Sequence, residues 1–481
     1  MTKENNNDYR RIMAVAKKWG ILEQRLIESA SQFAEQVHAD EIYLNEPFIT
    51  HPWAVARIIA DMQLDSNLIA AALLHDVVEH GADIKHLEER FEPAVADMVL
   101  SLTMNQASGD PNSDSIYYHD QLADKIASDF GILYIKLASR IHNLQTFKRS
   151  GKRTKEHDAG DEWNARKIKE AEEIYLPLAE GTGMIYLKEM LQNACFKAKF
   201  PNEYQSIQQQ YNYLLRDNKN RTEHVKDLFT KKFCRQDIWA SQVCDCKVEK
   251  CRIRDIYDSI KLSLGDSVKN YKQVITKYRI PLFNIFLILE DQDTGSLVDQ
   301  FLKLYKEVIV KESLFITSIE FGSNKSCINL ILEDIFLNQY RLNVYCQSSY
   351  ELYLYGRNPQ KSRYLPKKYR AEHEKGFSPK IRIFTKDNAE KTIARGATVL
   401  DFAFLIHENI GLCAEYGIVN EEEVPLNTIL SEYDRIRIVT AREDGMEAVR
   451  ACFDWFDYVK TPRAINILIR WFKKNYVLKE S

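Results

Sequence analysis

The segment Leu73-Leu74-His75-Asp76-Val77-Val78-Glu79-His80 places ionisable side chains directly after an apolar run, and His51 stands before a proline farther upstream. Apolar residues recur at helical spacing after His51 and before His75, which predicts two helices that begin or end near these histidines. Proline suits the first turn of a helix, because its missing N–H would have no partner there. Imidazole and carboxylate groups that converge in apolar surroundings are ligands that a divalent metal prefers. The sequence therefore predicts a metal site formed by His51, His75 and Asp76.

A lone histidine at either place would be explained more simply as a core residue or a helix cap. The combination is more specific, because His75 and Asp76 are adjacent, Glu79 follows them, and His51 is followed directly by Pro52. We therefore favour a metal site over a purely structural role for these residues.

Composition limits the classes of protein that the chain can belong to. Its 481 residues suffice for about three domains. A content of 45% hydrophobic and 28% charged residues is ordinary for a globular protein, and the net charge of −3 argues against a protein whose main role is to coat nucleic acid. The polar N-terminus shows no signal peptide, and no apolar run is long enough to cross a membrane. Nine scattered cysteines favour reduced thiols, so we expect a cytoplasmic protein.

The order of patterns along the chain predicts several domains. We expect a helical domain over 1–200, an α/β domain over 201–358, a linker over 359–379, a β-grasp domain over 380–442 and C-terminal helices over 443–481. In the first domain, helical periodicity covers 9–38, 84–91, 93–102, 116–129, 132–143 and 163–213, with loops at 39–50, 105–115 and 148–162. Strands are predicted at Phe283–Leu289, Cys327–Leu332 and Arg341–Tyr345.

Two further stretches have modest interpretations. Cys244, Cys246 and Cys251 lie close together but match no paired zinc-ligand spacing, so we interpret them as structural. The basic stretch from Lys361 to Lys380 is interpreted as a solvated linker, with a nucleic-acid contact as the less favoured alternative.

Four separated motifs resemble the hydrolase domain of the RelA/SpoT family. They are His-Pro at 51–52, Leu-Leu-His-Asp-Val-Val-Glu at 73–79, Lys-Leu-Ala-Ser-Arg-Ile-His-Asn at 136–143 and Glu-Ile-Tyr-Leu-Pro-Leu-Ala at 173–179. The resemblance implies an HD-type phosphohydrolase that uses Mn²⁺ to remove the 3′-pyrophosphate from guanosine tetra- and pentaphosphate. It also implies that His51, His75 and Asp76 are metal ligands, that Glu79 is an acid–base residue, and that the nucleotide contacts are Arg140, Asn143 and Thr146.

Three positions depart from the family pattern. Ser139 stands where the family has an aspartate as the fourth metal ligand, and His80 stands where it has a second carboxylate. Ile42 lies at the place of a family arginine. A serine hydroxyl is a poorer ligand than a carboxylate and carries no charge to offset the cation. Three ligands can still hold a metal, and His80 is able to act as a base or an extra ligand. Altered activity and a decayed site therefore both remain open.

The second domain corresponds in position to the family's synthetase, which transfers pyrophosphate from ATP to GDP or GTP. The phosphate-binding loop motifs of that domain are absent from the sequence. Arg341-Leu342-Asn343-Val344-Tyr345 aligns with the segment that carries the catalytic glutamate, and an arginine cannot act as a base at neutral pH. We therefore expect a pseudo-synthetase without synthetase activity.

The third domain resembles a TGS domain. Its motif is Gly-Ala-Thr-x-x-Asp-Phe-Ala-x-x-Ile-His at 396–407, followed by a strand pattern at 434–440 and an amphipathic stretch at 455–474. In the family this domain contacts partners, including the 3′ end of uncharged tRNA, which implies a tRNA or protein contact at His407. A helix-end histidine favoured by the helix dipole is an equal alternative. Ribosome-coupled sensing is not expected, because no zinc-finger-like or ACT segment follows.

Two functions follow from these patterns. The first is an Mn²⁺-dependent guanosine 3′,5′-bis(diphosphate) 3′-pyrophosphohydrolase with an unusual metal site. The second is a catalytically inactive regulatory protein that binds nucleotide or a partner, because Ser139 occupies the fourth-ligand position.

Overall fold

The computed structural model divides the chain into two compact units, residues 1–188 with 355–481, and residues 189–354. It describes residues 6–43, 46–103, 125–126, 129–146, 164–232, 243–264, 280–291, 297, 314–321, 327–356, 380–386, 388–394, 396–443, 446–452, 455–461, 463–464, 467–468 and 471. The division after residue 188 falls twelve residues before the boundary predicted at 200/201 (200 − 188), and the domain boundaries inferred from the sequence stay predictions.

The N-terminal part of the first unit is a bundle of helices. Their bounds are α1 Asn7–Ala16, α2 Ile21–Val37, α3 Thr50–Asp61, α4 Ser66–Leu73, α5 Ile84–Arg90, α6 Pro93–Leu102, α7 Gly131–Thr146 and α8 Leu176–Gly181, the last preceded by a π-helical turn at Ala171–Tyr175. Apolar stripes at helical spacing turn inward, so Ile12, Ile27, Ile59 and Leu133 are fully buried. The predicted helices at 9–38, 84–91, 93–102 and 132–143 are therefore confirmed.

One local prediction was wrong. The segment 39–50 was expected to be a loop, but it contains the short antiparallel pair β1 (Ile42–Tyr43) and β2 (Glu46–Pro47). Each strand is only two residues long, and periodicity over so few residues does not reveal such a pairing. The loops predicted at 105–115 and 148–162, most of the helix predicted at 116–129, and the linker lie outside the described residues.

The second unit is built on a five-stranded mixed sheet. Its strands are β3 Val243–Lys250, β4 Pro281–Leu289, β5 Leu314–Phe321, β6 Cys327–Asp334 and β7 Gln339–Cys346, in the order β3-β4-β7-β6-β5. The two central strands, β4 and β7, are parallel, and the other pairs are antiparallel. The described helices of this part are α9 Ile185–Lys199, α10 Pro201–Asp217, α11 Lys219–Asp227, α12 Ile253–Leu264 and α13 Gln347–Tyr355. The three predicted strands are confirmed, whereas β3 and β5 were missed.

Side chains alternate across the two faces of this sheet, as the pleat requires. On β7, Leu342 and Val344 are fully buried in an apolar core, whereas Arg341, Asn343 and Tyr345 face a cavity on the opposite side. The same alternation on β4 sends Ile285 into the core. The polar residues in the middle of β7 therefore mark the polar face of the sheet, which lines the cavity.

The C-terminal part of the first unit contains a second five-stranded sheet. Its strands are β8 Lys380–Thr385, β9 Glu390–Ala394, β10 Ala414–Val419, β11 Glu422–Val424 and β12 Arg435–Thr440, in the order β11-β10-β12-β8-β9. Helices α14 Val399–Ile406 and α15 Glu408–Leu412 follow β9. Gly411 is required at its position, because a Cβ atom there would clash with the Phe404 ring. A further strand pair, β13 (Arg442–Glu443) with β14 (Met446–Glu447), and the short helix α16 (Trp455–Tyr458) come later.

The start of α14 is stabilised by the predicted cap residue Thr398. Its hydroxyl accepts a hydrogen bond from the Asp401 N–H at 3.3 Å, and the Asp401 carboxylate accepts one from the Thr398 N–H at 2.9 Å, which completes a capping box. Asp401 is almost fully buried and also accepts from the N–H groups of Lys460 and Thr461. This single carboxylate thus joins the helix start to the segment after α16.

The order of the folds is the predicted one, helical first, then mixed α/β, then a small sheet with a helix. Among the described residues, no helix is both long and apolar enough to cross a membrane. The amphipathic stretch predicted at 455–474 is helical at 455–458, 463–464, 467–468 and 471, and its other residues lie outside the description or are not helical.

Replacement of Asp401 by alanine should lower the free energy of unfolding by about 2–4 kcal/mol, because it leaves several buried N–H donors without an acceptor. Urea unfolding followed by circular dichroism measures this change. Glu421→Ala, at an exposed turn position, is the matched control. Equal stability of the Asp401→Ala variant and this control would contradict the role assigned to the carboxylate.

Candidate metal centre

His51 lies in the first turn of α3, where Pro52 removes no helical hydrogen bond. The helix is buried along nearly its whole length, so the His51 side chain is only 7% exposed. Its Nε2 atom points to His75 and its Nδ1 atom lies 2.8 Å from His142 Nδ1 on α7. The contact with His142 orients the ring and makes Nε2 available to a ligand.

His75 and Asp76 follow the end of α4, in the turn that leads to α5. The His75 Nδ1–H donates to the Ala72 carbonyl at 2.9 Å, which leaves the lone pair of Nε2 directed at the site. Helix α4 ends here because Leu74 adopts a non-helical conformation and the two polar side chains turn inward. Both residues are buried.

The three side chains predicted as ligands converge. One nitrogen or oxygen atom of each of His51, His75 and Asp76 lies within 4.8 Å of the others. The two Nε2 atoms are 3.2 Å apart, and the Asp76 Oδ2 atom lies 3.9 Å from His75 Nε2. With metal–nitrogen bonds of about 2.0–2.1 Å, the first separation corresponds to an angle of roughly 100° at the metal, which suits a coordinated divalent ion.

The electrostatics suit a cation in the same place. Burial, reinforced by the neighbouring His75, holds the pKa of His51 well below its ordinary value, so this imidazole is neutral and offers a lone pair. Burial alone would raise the pKa of Asp76, but the charge interaction with His75 and the contact with His38 outweigh it and lower that pKa. Asp76 is therefore a carboxylate at neutral pH, and its buried Oδ1 atom has no partner in hydrogen-bond geometry among the described residues. The residues thus fit a divalent metal.

One face of α7 carries the other residues predicted for this site. The Ser139 Oγ atom lies 3.4 Å from His51 Nε2, next to the ligand atoms. Arg140 is buried in an ion pair with Glu170 at 2.6 Å and lies over the Tyr175 ring.

The last turn of α7 carries the two remaining nucleotide-contact predictions. Asn143 and Thr146 are half-buried, and the Thr146 hydroxyl donates to the carbonyl groups of His142 and Asn143. The predicted roles of Arg140, Asn143 and Thr146 in nucleotide binding stay predictions.

The two residues predicted as catalytic lie on the outer side of the turn. Glu79 is exposed, and its charge acts on Lys136 of α7, whose pKa is lowered by burial. His80 does not join the three ligands; its Nδ1 atom contacts Glu41 at 2.8 Å instead. Sequence reasoning missed His142 and His38, which contact ligands from α7 and from the end of α2. His142 belongs to the motif at 136–143 but received no role there, and no motif marks His38; both approach the site through the packing of helices.

The second unit contains a cavity of about 440 Å³ against the polar face of its sheet. Arg341 lines this cavity, 3.6 Å from the Asp255 carboxylate. Arg252 lines the same cavity and is paired with Glu189 at 2.8 Å. Sequence reasoning found no acids for this region, yet Glu189, Asp255 and Glu320 line the cavity, brought there by two helices and an edge strand.

The remaining predicted residues have structural partners of their own. The His407 side chain is exposed and accepts from the Asn409 N–H at 3.1 Å, so it caps α15. Burial raises the pKa of the Cys251 thiol to about 12. Among the described residues, neither group that could hold a metal includes a cysteine.

Known proteins resemble this chain over nearly its whole length. A model of the HD domain matches residues 30–185 and a model of the TGS domain matches residues 381–440. A probable guanosine-3′,5′-bis(diphosphate) 3′-pyrophosphohydrolase of Synechocystis is 26% identical, with 94% of this chain and 60% of the relative covered. A GTP pyrophosphokinase of Streptomyces coelicolor is 25% identical (94% and 56% covered), and the bifunctional (p)ppGpp synthase/hydrolase SpoT of Escherichia coli is 25% identical (89% and 62% covered).

The helical bundle, its buried imidazole–carboxylate site and the domain match define an HD-domain protein, a class whose site holds a divalent metal. The match to the TGS domain and the relatives together support a protein of the RelA/SpoT family. It spans 56–62% of the length of these three relatives.

Replacement of Ser139 by aspartate should tighten Mn²⁺ binding. The new carboxylate would stand beside His51 Nε2, and such a charge interaction is worth more than the ~1.4 kcal/mol that corresponds to a tenfold change in affinity. Isothermal titration of the metal-free protein measures the dissociation constant. Ser139→Ala is the control and should bind as the parent does. An unchanged affinity for the aspartate variant would place Ser139 outside the coordination sphere.

Proposed function

We propose that this protein is an Mn²⁺-dependent pyrophosphohydrolase that removes the 3′-pyrophosphate of guanosine tetra- and pentaphosphate. The observation that carries the proposal is the convergence of His51, His75 and Asp76 in a buried pocket of an HD-type bundle. Relatives named as 3′-pyrophosphohydrolases support the same substrate. Free thiols at all eight described cysteines support a reducing compartment, and we propose a cytoplasmic location.

His51 and His75 would hold the metal through their Nε2 atoms, and Asp76 through one carboxylate oxygen. A bound divalent metal would polarise the pyrophosphate and make the attacking water a stronger nucleophile. Glu79, exposed in the turn after Asp76, would orient this water and accept its proton. Asn143 and Thr146 lie one and two turns beyond Ser139 on α7 and would contact the nucleotide.

The purified protein should release pyrophosphate from guanosine tetraphosphate when Mn²⁺ is supplied. His75→Ala should reduce this release to background, because it removes one ligand from a site that has three. Chromatography of the nucleotide products measures the reaction.

His86→Ala is the matched control, because His86 is an exposed histidine on the nearby helix α5. Its activity should equal that of the parent. If the His75→Ala variant still releases pyrophosphate at the rate of the parent, the reaction does not take place in this pocket.

Ser139 favours a second candidate, a regulatory protein that binds alarmone or a partner without turnover. The hydroxyl beside His51 replaces the family's fourth carboxylate and leaves the site with one negative charge from Asp76. Saturable nucleotide binding with no release of pyrophosphate would support this candidate over the enzyme. In either case we propose that the TGS domain contacts a tRNA or protein partner through the surface around His407.

We also propose that the second unit has no synthetase activity. Arg341 occupies the position aligned with the catalytic glutamate, and its charge is engaged by Asp255. Arg252 is likewise engaged by Glu189. Phosphate groups need cations that are not already neutralised by neighbouring acids, so this cavity is poorly suited to a triphosphate.

Incubation with ATP, GDP and Mg²⁺ should therefore yield no guanosine tetraphosphate. The measurement is transfer of label from the γ-phosphate of ATP, carried out in the His75→Ala background so that hydrolysis does not hide a product. Labelled guanosine tetraphosphate in this assay would contradict the proposal.

A further inference from the structure

A second group of potential ligands lies beside the proposed metal centre. His38 directly follows the end of α2, Glu41 comes three residues later, and His80 belongs to the turn after α4. Their ligand atoms all lie within 4.8 Å of one another. None of the three is assigned to metal binding by the function proposed above, and the sequence separates His80 from the other two by about forty residues.

The imidazole rings of His38 and His80 both point their Nδ1 atom at the Glu41 carboxylate. His38 Nδ1 lies 2.9 Å from Glu41 Oε2, and His80 Nδ1 lies 2.8 Å from that oxygen and 2.9 Å from Oε1. The two rings are nearly perpendicular, with centroids 4.8 Å apart, and the Phe48 ring packs against both. Separations of about 3 Å between donor atoms are those found around an ion with ligands at about 2.0–2.2 Å.

The other nitrogen of His38 also faces a carboxylate, although the two atoms do not have the geometry of a hydrogen bond. His38 is 1% exposed, and its Nε2 atom faces Asp76 Oδ1 at 3.4 Å. A negative charge on that side favours a proton at Nε2 and a lone pair at Nδ1, the atom that faces Glu41. His38 thus faces carboxylates with both ring nitrogens, Asp76 on one side and Glu41 on the other.

We propose that His38, Glu41 and His80 form a second metal site, which takes a borderline divalent cation such as zinc through two imidazole nitrogens and one carboxylate. Two nitrogen donors and one oxygen donor suit zinc and leave a fourth position open. The side chains of Glu41 and His80 are 35% and 29% exposed, so an ion can enter from solvent. In the absence of an ion, the Nδ1 atoms of both histidines lie within hydrogen-bond distance of the Glu41 carboxylate.

The test counts zinc ions bound per chain. The full-length protein is stripped with chelator, dialysed against Zn²⁺ and analysed for metal and protein content. The parent should bind two ions, and His80→Ala and Glu41→Gln should each bind one. His75→Ala should also bind one, because it removes the other site, and the double variant of His75 and His80 should bind none.

Controls separate this site from other causes of zinc binding. His86→Ala should keep two ions, and circular dichroism checks that each variant is folded. Co²⁺ in the second site, studied in the His75→Ala protein, should give a spectrum without thiolate-to-metal charge transfer, which excludes cysteine ligands. A zinc content that is the same in the parent, the His80→Ala variant and the Glu41→Gln variant would overturn the proposal. The zinc content of the His75→Ala variant, compared with that of the parent, tests the first site independently of the second.

Discussion

Two imidazoles and a carboxylate, of His51, His75 and Asp76, are buried together in the helical bundle, and the bundle must offset the cost of burying them. An uncompensated polar group in such surroundings costs several kcal/mol. The bundle compensates locally, since the Ala72 carbonyl accepts from His75 and His142 contacts His51. These contacts also fix which ring nitrogens face the pocket. The same interactions that make the buried site tolerable therefore prepare it for a cation.

Helix α7 connects this pocket to its surroundings. Residues three and four positions apart share a helix face, so Lys136, Ser139, Arg140 and Asn143 are aligned along one side of α7. Ser139 reaches the ligand atoms, whereas Arg140 is held by Glu170 and Tyr175. Ser139 thus places a neutral hydroxyl, and not a carboxylate, beside His51 Nε2.

The sheet of the second unit has one apolar face and one polar face. The apolar face of β4, β6 and β7 forms a core, and the opposite face lines a cavity in which cations and acids are paired with each other. Arg252 with Glu189 and Arg341 with Asp255 leave little net charge for a polyphosphate. Next to the C-terminal sheet, a buried carboxylate binds backbone groups and not a cation. Asp401 accepts hydrogen bonds there from the N–H groups of Lys460 and Thr461. Charge in this protein is therefore often used to join segments of the chain.

The local sequence pattern was sufficient to predict the helices of the N-terminal bundle, the strands β4, β6 and β7, and the capped helix α14. The periodicity or the cap residue that identifies each of them lies within or next to the element itself. It was sufficient as well to select His51, His75 and Asp76 as a group that converges, because His-Pro and the adjacent His-Asp pair stand next to apolar helical segments. Only the tertiary structure brought His142 against His51, and His38 and Glu41 against His80. It also supplied the acids of the cavity, which come from helices and an edge strand far apart in sequence. Contacts of this kind depend on how helices and strands pack, and packing distances are not encoded in any single stretch of residues.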